Sequence, residues 1–166
     1  MRLPPLKTCI IVPYRDDADG KRAKQLSTFL TKSQEWDTYI LIVQQTHDGR
    51  GFNRGALLNA GADIYTKWLN EKGYPQADID NAVIILHDID LIPSEDLVRE
   101  QYITPIGCGA IMHIGSLFMR YANMPNYLGG IAKLTIKTFI DMNGFPLFFE
   151  KWGGEDDAFL IRAKHC

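Results

Sequence analysis

Three short, uninterrupted apolar runs decide which folds are open to this chain. Thr8 to Val12 (TCIIV), Tyr39 to Val43 (YILIV) and Ala82 to Leu86 (AVIIL) are rich in isoleucine and valine, the pattern of strands buried on both faces. Between the first two, Lys21 to Ser33 carries Leu26, Phe29 and Leu30 at helical spacing. Between the second and third, Ala56 to Leu69 carries Leu57, Leu58, Gly61, Ile64, Tyr65, Trp68 and Leu69 in the same way. Buried strands that alternate with helices pair in parallel and place the helices on the sheet faces. A βαβαβ unit within a mostly parallel α/β sheet flanked by helices is therefore expected. Downstream, Thr135 is placed to cap a short helix through Phe139 to Met142 that stops at Asn143-Gly144, before Pro146. The segment Asn70 to Asn81, with Gly73, Pro75 and several acidic residues, reads as an exposed loop. No linker, repeat or low-complexity stretch divides the chain, so a single domain over residues 1–166 is expected.

Ligands of open α/β sheets bind beyond the carboxyl ends of the strands. The first run leads into Pro13-Tyr14-Arg15-Asp16-Asp17 and the second into Gln44-Gln45-Thr46 and then Phe52-Asn53-Arg54. The third leads into His87-Asp88-Ile89-Asp90. The guanidinium groups of Arg15 and Arg54 suit a phosphate or a stacked base, with a surface salt bridge as the plainer alternative. Phe52 and Asn53 offer a stacking face and amide hydrogen bonds, unless the ring only plugs the edge of the core. Asp88 and Asp90 share a strand-like spacing and point the same way if the strand continues. Two such oxygen anions suit a hard divalent cation, Mg²⁺ or Mn²⁺, that also holds a diphosphate. The spacing recurs at Asp17 and Asp19 and at Asp78 and Asp80, but only the third pair follows a buried strand; the others read as solvated loop pairs. His87 alternates away from the pair and reads as a packed or hydrogen-bonded histidine.

The stretch WGGEDD, Trp152 to Asp157, sets three consecutive carboxylates after two glycines, at a loop-to-helix junction. Unpaired N–H groups and the macrodipole favour anions there, and Gly153-Gly154 lets backbone approach a ligand closely. An acidic first turn on a surface helix is the plain reading.

Composition removes several classes. A formal net charge of -2 with scattered lysines and arginines gives no basic field, so nucleic acid is not an expected partner. No run approaches the ~20 apolar residues of a membrane span, and Met1 to Pro5 lacks the apolar core of a signal peptide. Cys9, Cys108 and Cys166 show no ligand spacing and read as buried free thiols of a reducing compartment, which makes a cytoplasmic location the expectation.

The blocks PYRDD (13–17), FNRGALLNAG (52–61), HDIDLIP (87–93), NYLGGIAKLT (126–135), NGFP (143–146) and WGGEDD (152–157) together resemble the beta-1,4-galactosyltransferase family of inverting glycosyltransferases. Their order and approximate spacing match over essentially the whole chain. The resemblance implies a GT-A (Rossmann-like) fold, a UDP-sugar donor, Mn²⁺ (or Mg²⁺) and a carbohydrate or glycoconjugate acceptor. Carried over by position, Pro13, Tyr14, Arg15, Asp16 and Asp17, with Phe52, Asn53 and Arg54, hold UDP. Asp90 ligates the metal with Asp88 and Ile89 beside it, and Trp152 contacts the donor and helps close the site. Gly154, Glu155, Asp156 and Asp157 form the acceptor site with Asp156 as base, and Tyr127 reads the donor sugar in the galactose manner. The chain departs from the pattern at Asp17, where the family has a second basic residue. It also stops at Cys166, short of the family segment that supplies a methionine and a histidine to the metal and a mobile lid over the donor. A non-catalytic nucleotide-sugar or carbohydrate binding module is the alternative. A nucleotidyltransferase would need a glycine-rich phosphate loop near the first strand, and Pro13 to Asp17 is not one.

Overall fold

The computed structural model describes residues 3–124, 126–150 and 153–166. Strand β1 (Cys9–Tyr14), helix α1 (Lys21–Ser33), β2 (Tyr39–Gln44), α2 (Arg54–Glu71), α3 (Gln76–Asn81) and β3 (Val83–His87) follow in order. A short α4 (Glu95–Leu97) runs into a π-helical turn over Val98–Tyr102. Then come β4 (Ile111–His113), β5 (Ile131–Thr135), α5 (Ile136–Asp141) and α6 (Glu155–His165). The five strands form one sheet in the order β2-β1-β3-β5-β4. β1 pairs in parallel with β2 and β3, whereas β5 is antiparallel to both β3 and β4, so β5 alone runs against the rest. The mostly parallel α/β architecture is present, and β2, as an edge strand, is only half-buried where the apolar run implied two covered faces.

Alternation along the strands sends side chains to two cores. Cys9, Ile11, Ile84 and Leu86 pack against Leu58, Ala62, Tyr65 and Leu69 of α2 and against Phe139 and Phe159. Ile10, Val12 and Ile85 pack on the other face against Phe29, Val98 and Tyr102. Gly61 sets how closely α2 lies on the sheet: a Cβ there would stand 2.3 Å from Ile11 Cγ2 and 3.1 Å from Val43 Cγ2.

Several local expectations need correction. Leu30 and Ile64, counted into the apolar stripes of α1 and α2, are exposed at the stripe margins. Residues 70–81 are not an exposed loop: α2 runs through Glu71, Gly73 turns at φ +81°, and Pro75 opens α3, anchored by the buried Ile79. The Asp78 and Asp80 pair thus sits on a helix. Only Cys9 is a buried thiol, pushed up to about 12 by burial, while Cys108 and Cys166 are exposed. β5 carries Lys133 at its centre, fully buried, its ammonium donating to the carbonyls of Gln101, Tyr102 and Thr104 where the π-helical turn ends. Thr135 caps α5 as read, its Oγ1 accepting from Thr138 N at 3.2 Å, and Asn143 and Gly144 at φ 59° and 51° end the helical segment. Among the described residues no helix is long and apolar enough to cross a membrane.

His87 is the packed histidine expected. Its Nδ1 donates to the Asp88 carbonyl at 2.9 Å, which leaves Nε2 to accept from the Tyr102 hydroxyl at 2.7 Å. Burial pulls its pKa from 6.5 down to about 4. The unfolded chain therefore takes up a proton that the folded chain refuses. Stability contributed by neutral His87 is complete above pH 6.5 and falls by about 3 kcal/mol as the pH drops towards 4. Urea denaturation between pH 7 and 4.5 should show this loss in wild type and a flatter profile in His87→Gln.

Candidate active site

The β2–α2 connection is pinned by Gln45, whose Nε2 donates to the Gly51 carbonyl and whose Oε1 accepts from Asn53 N at 2.9 Å. Asn53 then caps α2, its Oδ1 accepting from Ala56 N while its Nδ2 donates to the Leu147 carbonyl. Asn53 is thus occupied in building the site, with its amide committed to the helix start and the 147 carbonyl. The cap sets Arg54 at the first position of α2, where its guanidinium lies between two carboxylates. Nε donates to Asp88 Oδ1 at 2.6 Å and Nη1 to Asp156 Oδ1 at 2.7 Å. All three side chains are largely enclosed, at 10%, 23% and 10% exposure. Arg54 is therefore neither a surface salt bridge nor an unengaged phosphate cation. Burial alone would lower its pKa, but the charges of Asp88 and Asp156 raise it above the usual arginine value. Burial pushes the Asp88 carboxyl up against the pull of Arg54.

The other oxygen of Asp156 accepts from the Tyr127 hydroxyl at 2.9 Å. Burial first, and then the neighbouring Asp156 charge, raises the Tyr127 phenol. Gly129 leaves the room for this contact, since a Cβ there would fall 2.2 Å from the Tyr127 hydroxyl and 2.4 Å from Asp156 Oδ2. His113 donates from Nε2 to the Gly129 carbonyl at 2.8 Å and so holds that backbone in place. α6 begins at the junction expected from the sequence, with Gly154 as its cap at φ 91°. Its first turn is acidic but mostly not solvated: Glu155 and Asp156 are buried and only Asp157 is exposed. Burial raises the Glu155 carboxyl, and its Oε2 has no hydrogen-bond partner among the described residues.

The remaining expected residues divide. Pro13 and Tyr14 are buried inside β1, so the part of that segment able to meet a ligand is Arg15 to Asp17. Arg15 donates to the Arg50 carbonyl and lies 5.5 Å from the Phe52 ring centroid, pairing two of the expected donor residues. Asp17 Oδ1 accepts from Arg22 N near the start of α1. The strand does not continue through Asp88 and Asp90: β3 ends at His87, and Leu91 N bonds back to the Asp88 carbonyl in a turn. The two carboxylates go to different partners, Asp88 to Arg54 and Asp90 to Arg120 Nη1 at 2.9 Å. Ile89 packs into the core. Arg120 and His113 have no local signal for their roles in the sequence, because their partners Asp90 and Gly129 lie 30 and 16 residues away, and the need for a glycine at 129 arises only where Tyr127 meets Asp156. Trp152 lies outside the described residues.

No group of three His, Cys, Asp or Glu side chains among the described residues could hold a metal ion. Asp90, already bound to Arg120, is one oxygen ligand and no more, so the described residues do not by themselves fit a divalent cation.

The architecture resembles that of a mutant Drosophila beta-1,4-galactosyltransferase 7 crystallised with manganese, UDP-Gal and xylobiose. The TM-score is 0.72 at 25% identity, covering 97% of this chain and 62% of that one. The sheet with its carboxyl-edge cluster is therefore the GT-A fold of nucleotide-sugar glycosyltransferases. The sequence is 36% identical over 159 residues to the xylosylprotein 4-beta-galactosyltransferase of Caenorhabditis elegans and 32% identical over 164 residues to human beta-1,4-galactosyltransferase 3. These matches cover 94% and 97% of this chain but 50% and 38% of the relatives, so the chain spans half of their length or less. Residues 3–104 match the family described as the N-terminal region of glycosyl transferase group 7, and residues 110–166 match the N-terminal domain of galactosyltransferase. The chain belongs to the beta-1,4-galactosyltransferase family. These relatives do not support the cytoplasmic expectation.

Proposed function

We propose that residues 1–166 act as a catalytic domain that transfers galactose from UDP-galactose to a carbohydrate acceptor with inversion, Asp156 serving as base. The observation that carries this reading is the Asp156 carboxylate, oriented by Arg54 and Tyr127 at the carboxyl edge of the sheet. A solved relative with this fold was crystallised with UDP-Gal and xylobiose. An acceptor hydroxyl is a poor nucleophile. Asp156 takes its proton as the oxygen bonds to the anomeric carbon, and the bond to UDP breaks on the opposite face with its electron pair leaving on the diphosphate. An alpha-linked donor thus gives a beta linkage.

Arg15, Asp16, Asp17 and Phe52 are assigned to UDP, while Asn53 and Arg54 shape that edge of the site from beneath. Tyr127 is assigned to the donor sugar, and its hydroxyl donates to the base. Glu155, with a buried oxygen unpartnered among the described residues, suits a sugar hydroxyl of the acceptor, and Gly154 and Asp157 border the same place. Asp90 would supply one oxygen to a divalent cation, short of the ligand set such an ion takes. The worm relative is named for a xylosylprotein and the fly enzyme was crystallised with xylobiose, which favours an acceptor ending in xylose.

Calorimetric titration of UDP-galactose and UDP-glucose in Mn²⁺, followed by galactose transfer to xylobiose, tests the reading. UDP-galactose should bind in roughly the micromolar to millimolar range usual for substrates, and transfer should release UDP. Binding without turnover on any acceptor would make the chain a nucleotide-sugar binding module. Absence of binding would remove the donor assignment.

A further inference from the structure

The segment that carries Tyr127 enters β5 through Gly129-Gly130, and two groups from elsewhere in the chain fix that pair of peptides. The Gly130 carbonyl accepts from Asp88 N at 2.8 Å, which ties it to the turn after β3. The Gly129 carbonyl accepts from His113 Nε2, also at 2.8 Å, which ties it to the end of β4. A carbonyl can only accept, so this ring nitrogen carries a proton. His113 reaches the carbonyl because Gly115 leaves the space: a Cβ there would stand 2.8 Å from Nε2 and 2.7 Å from the Gly129 oxygen. The imidazole is half-buried and meets the Tyr127 ring edge-on, with centroids 6.2 Å apart. On the side-chain side of Gly129 there is no slack, since the Tyr127 hydroxyl and Asp156 Oδ2 already stand 2.2 and 2.4 Å from where a Cβ would be. The peptide cannot move that way without disturbing the 2.9 Å bond between them.

We propose that His113 is a positioning residue for the base: its N–H fixes the Gly129 peptide, and through it holds the Tyr127 hydroxyl against Asp156. The inference rests on the reading of Asp156 as base and adds a residue that acts on it at two removes. The Gly129 carbonyl also accepts from Ile131 N at 3.1 Å. Loss of the imidazole therefore loosens the segment without stranding that carbonyl, and the consequence falls on alignment more than on folding.

The test is steady-state transfer from UDP-galactose to xylobiose, beside urea denaturation, for wild type, His113→Leu, His113→Gln, Tyr127→Phe and the His113→Leu, Tyr127→Phe double variant. Leucine keeps bulk but donates nothing, whereas the glutamine amide can donate from nearly the same place. His113→Leu should lower kcat about 10- to 100-fold, the loss expected when a reacting group is misplaced by about an ångström, with the KM for UDP-galactose close to wild type. His113→Gln should recover most of that loss. On the Tyr127→Phe background, His113→Leu should cost little more in rate or in stability, because the hydroxyl through which it acts is already gone. Phenylalanine retains the ring that His113 meets, so the cycle isolates the hydroxyl. Unchanged kcat in His113→Leu, a loss that glutamine does not recover, or additive losses around the cycle overturns the inference and leaves Asp156 standing as base. A wild type that transfers no galactose removes the base assignment, and the denaturation cycle then decides the inference alone: coupled losses support the link from His113 to Tyr127, and additive losses overturn it.

Discussion

Asp156→Asn lowers the rate of galactose transfer by about 10²–10⁴-fold, the usual worth of a positioned general base, and leaves UDP binding within a few-fold of wild type. The separation follows from the contacts. Asparagine keeps the size of aspartate, its carbonyl oxygen can still accept from Arg54 Nη1, and its amide can donate to the Tyr127 hydroxyl oxygen. What it lacks is a lone pair basic enough to receive the proton of the acceptor hydroxyl. Both Asp156 oxygens are engaged in the ligand-free protein, but a carboxylate offers about four acceptor directions, so an arriving hydroxyl need not displace either partner. Steady-state transfer assays beside UDP titrations distinguish the cases. Full activity in Asp156→Asn would reject Asp156 as the base, and lost activity with lost UDP binding would mean a structural role.

Arg54→Met destabilises the fold by about 3–5 kcal/mol, because it leaves two enclosed carboxylates without their shared counter-charge. Methionine retains much of the arginine stem volume, so the loss is electrostatic more than a matter of packing. The pH dependence identifies the cause. Burial already raises the Asp88 carboxyl in the presence of Arg54, and without the guanidinium it rises further. A folded state with a raised carboxyl pKa binds the proton more tightly than the unfolded chain, so stability increases as pH falls through that raised value. The deficit of Arg54→Met should accordingly be largest near pH 7 and shrink towards pH 5 in urea denaturation. A deficit below about 1 kcal/mol, typical of exposed pairs, would mean that the cluster is effectively solvated.

The part of the fold that was legible is the part where burial is written as continuous apolar sequence. β1 and β3 are central and apolar up to the closing Tyr14 and His87, and α1 and α2 carry stripes broken at Leu30 and Ile64, where the helix face turns outward. β5 is as buried as β1 but hides behind Lys133, a lysine whose charge is met by backbone carbonyls from a distant turn. β4 has three residues and no pattern to read. In the site, the acidic helix start at Glu155 was visible because the capping glycines adjoin it. The joining of Arg54 to Asp88 and Asp156 was not, since the partners are 34 and 102 residues away and neither separation leaves a local signature. The Asp88 and Asp90 pair misled for a simpler reason: alternation assumes a strand, and the strand had ended one residue earlier.

The place of Arg54 between an early and a late carboxylate also orders events during synthesis. When β3 has left the ribosome, Arg54 and Asp88 can form a one-to-one pair that carries no net charge. Asp156 reaches them only after 68 further residues, when α6 docks and turns the pair into a triad. Domains generally fold as units during synthesis. The cluster is therefore complete only once α6 has joined the sheet, and the carboxylate proposed to act on substrate is also the one that finishes the enclosed triad.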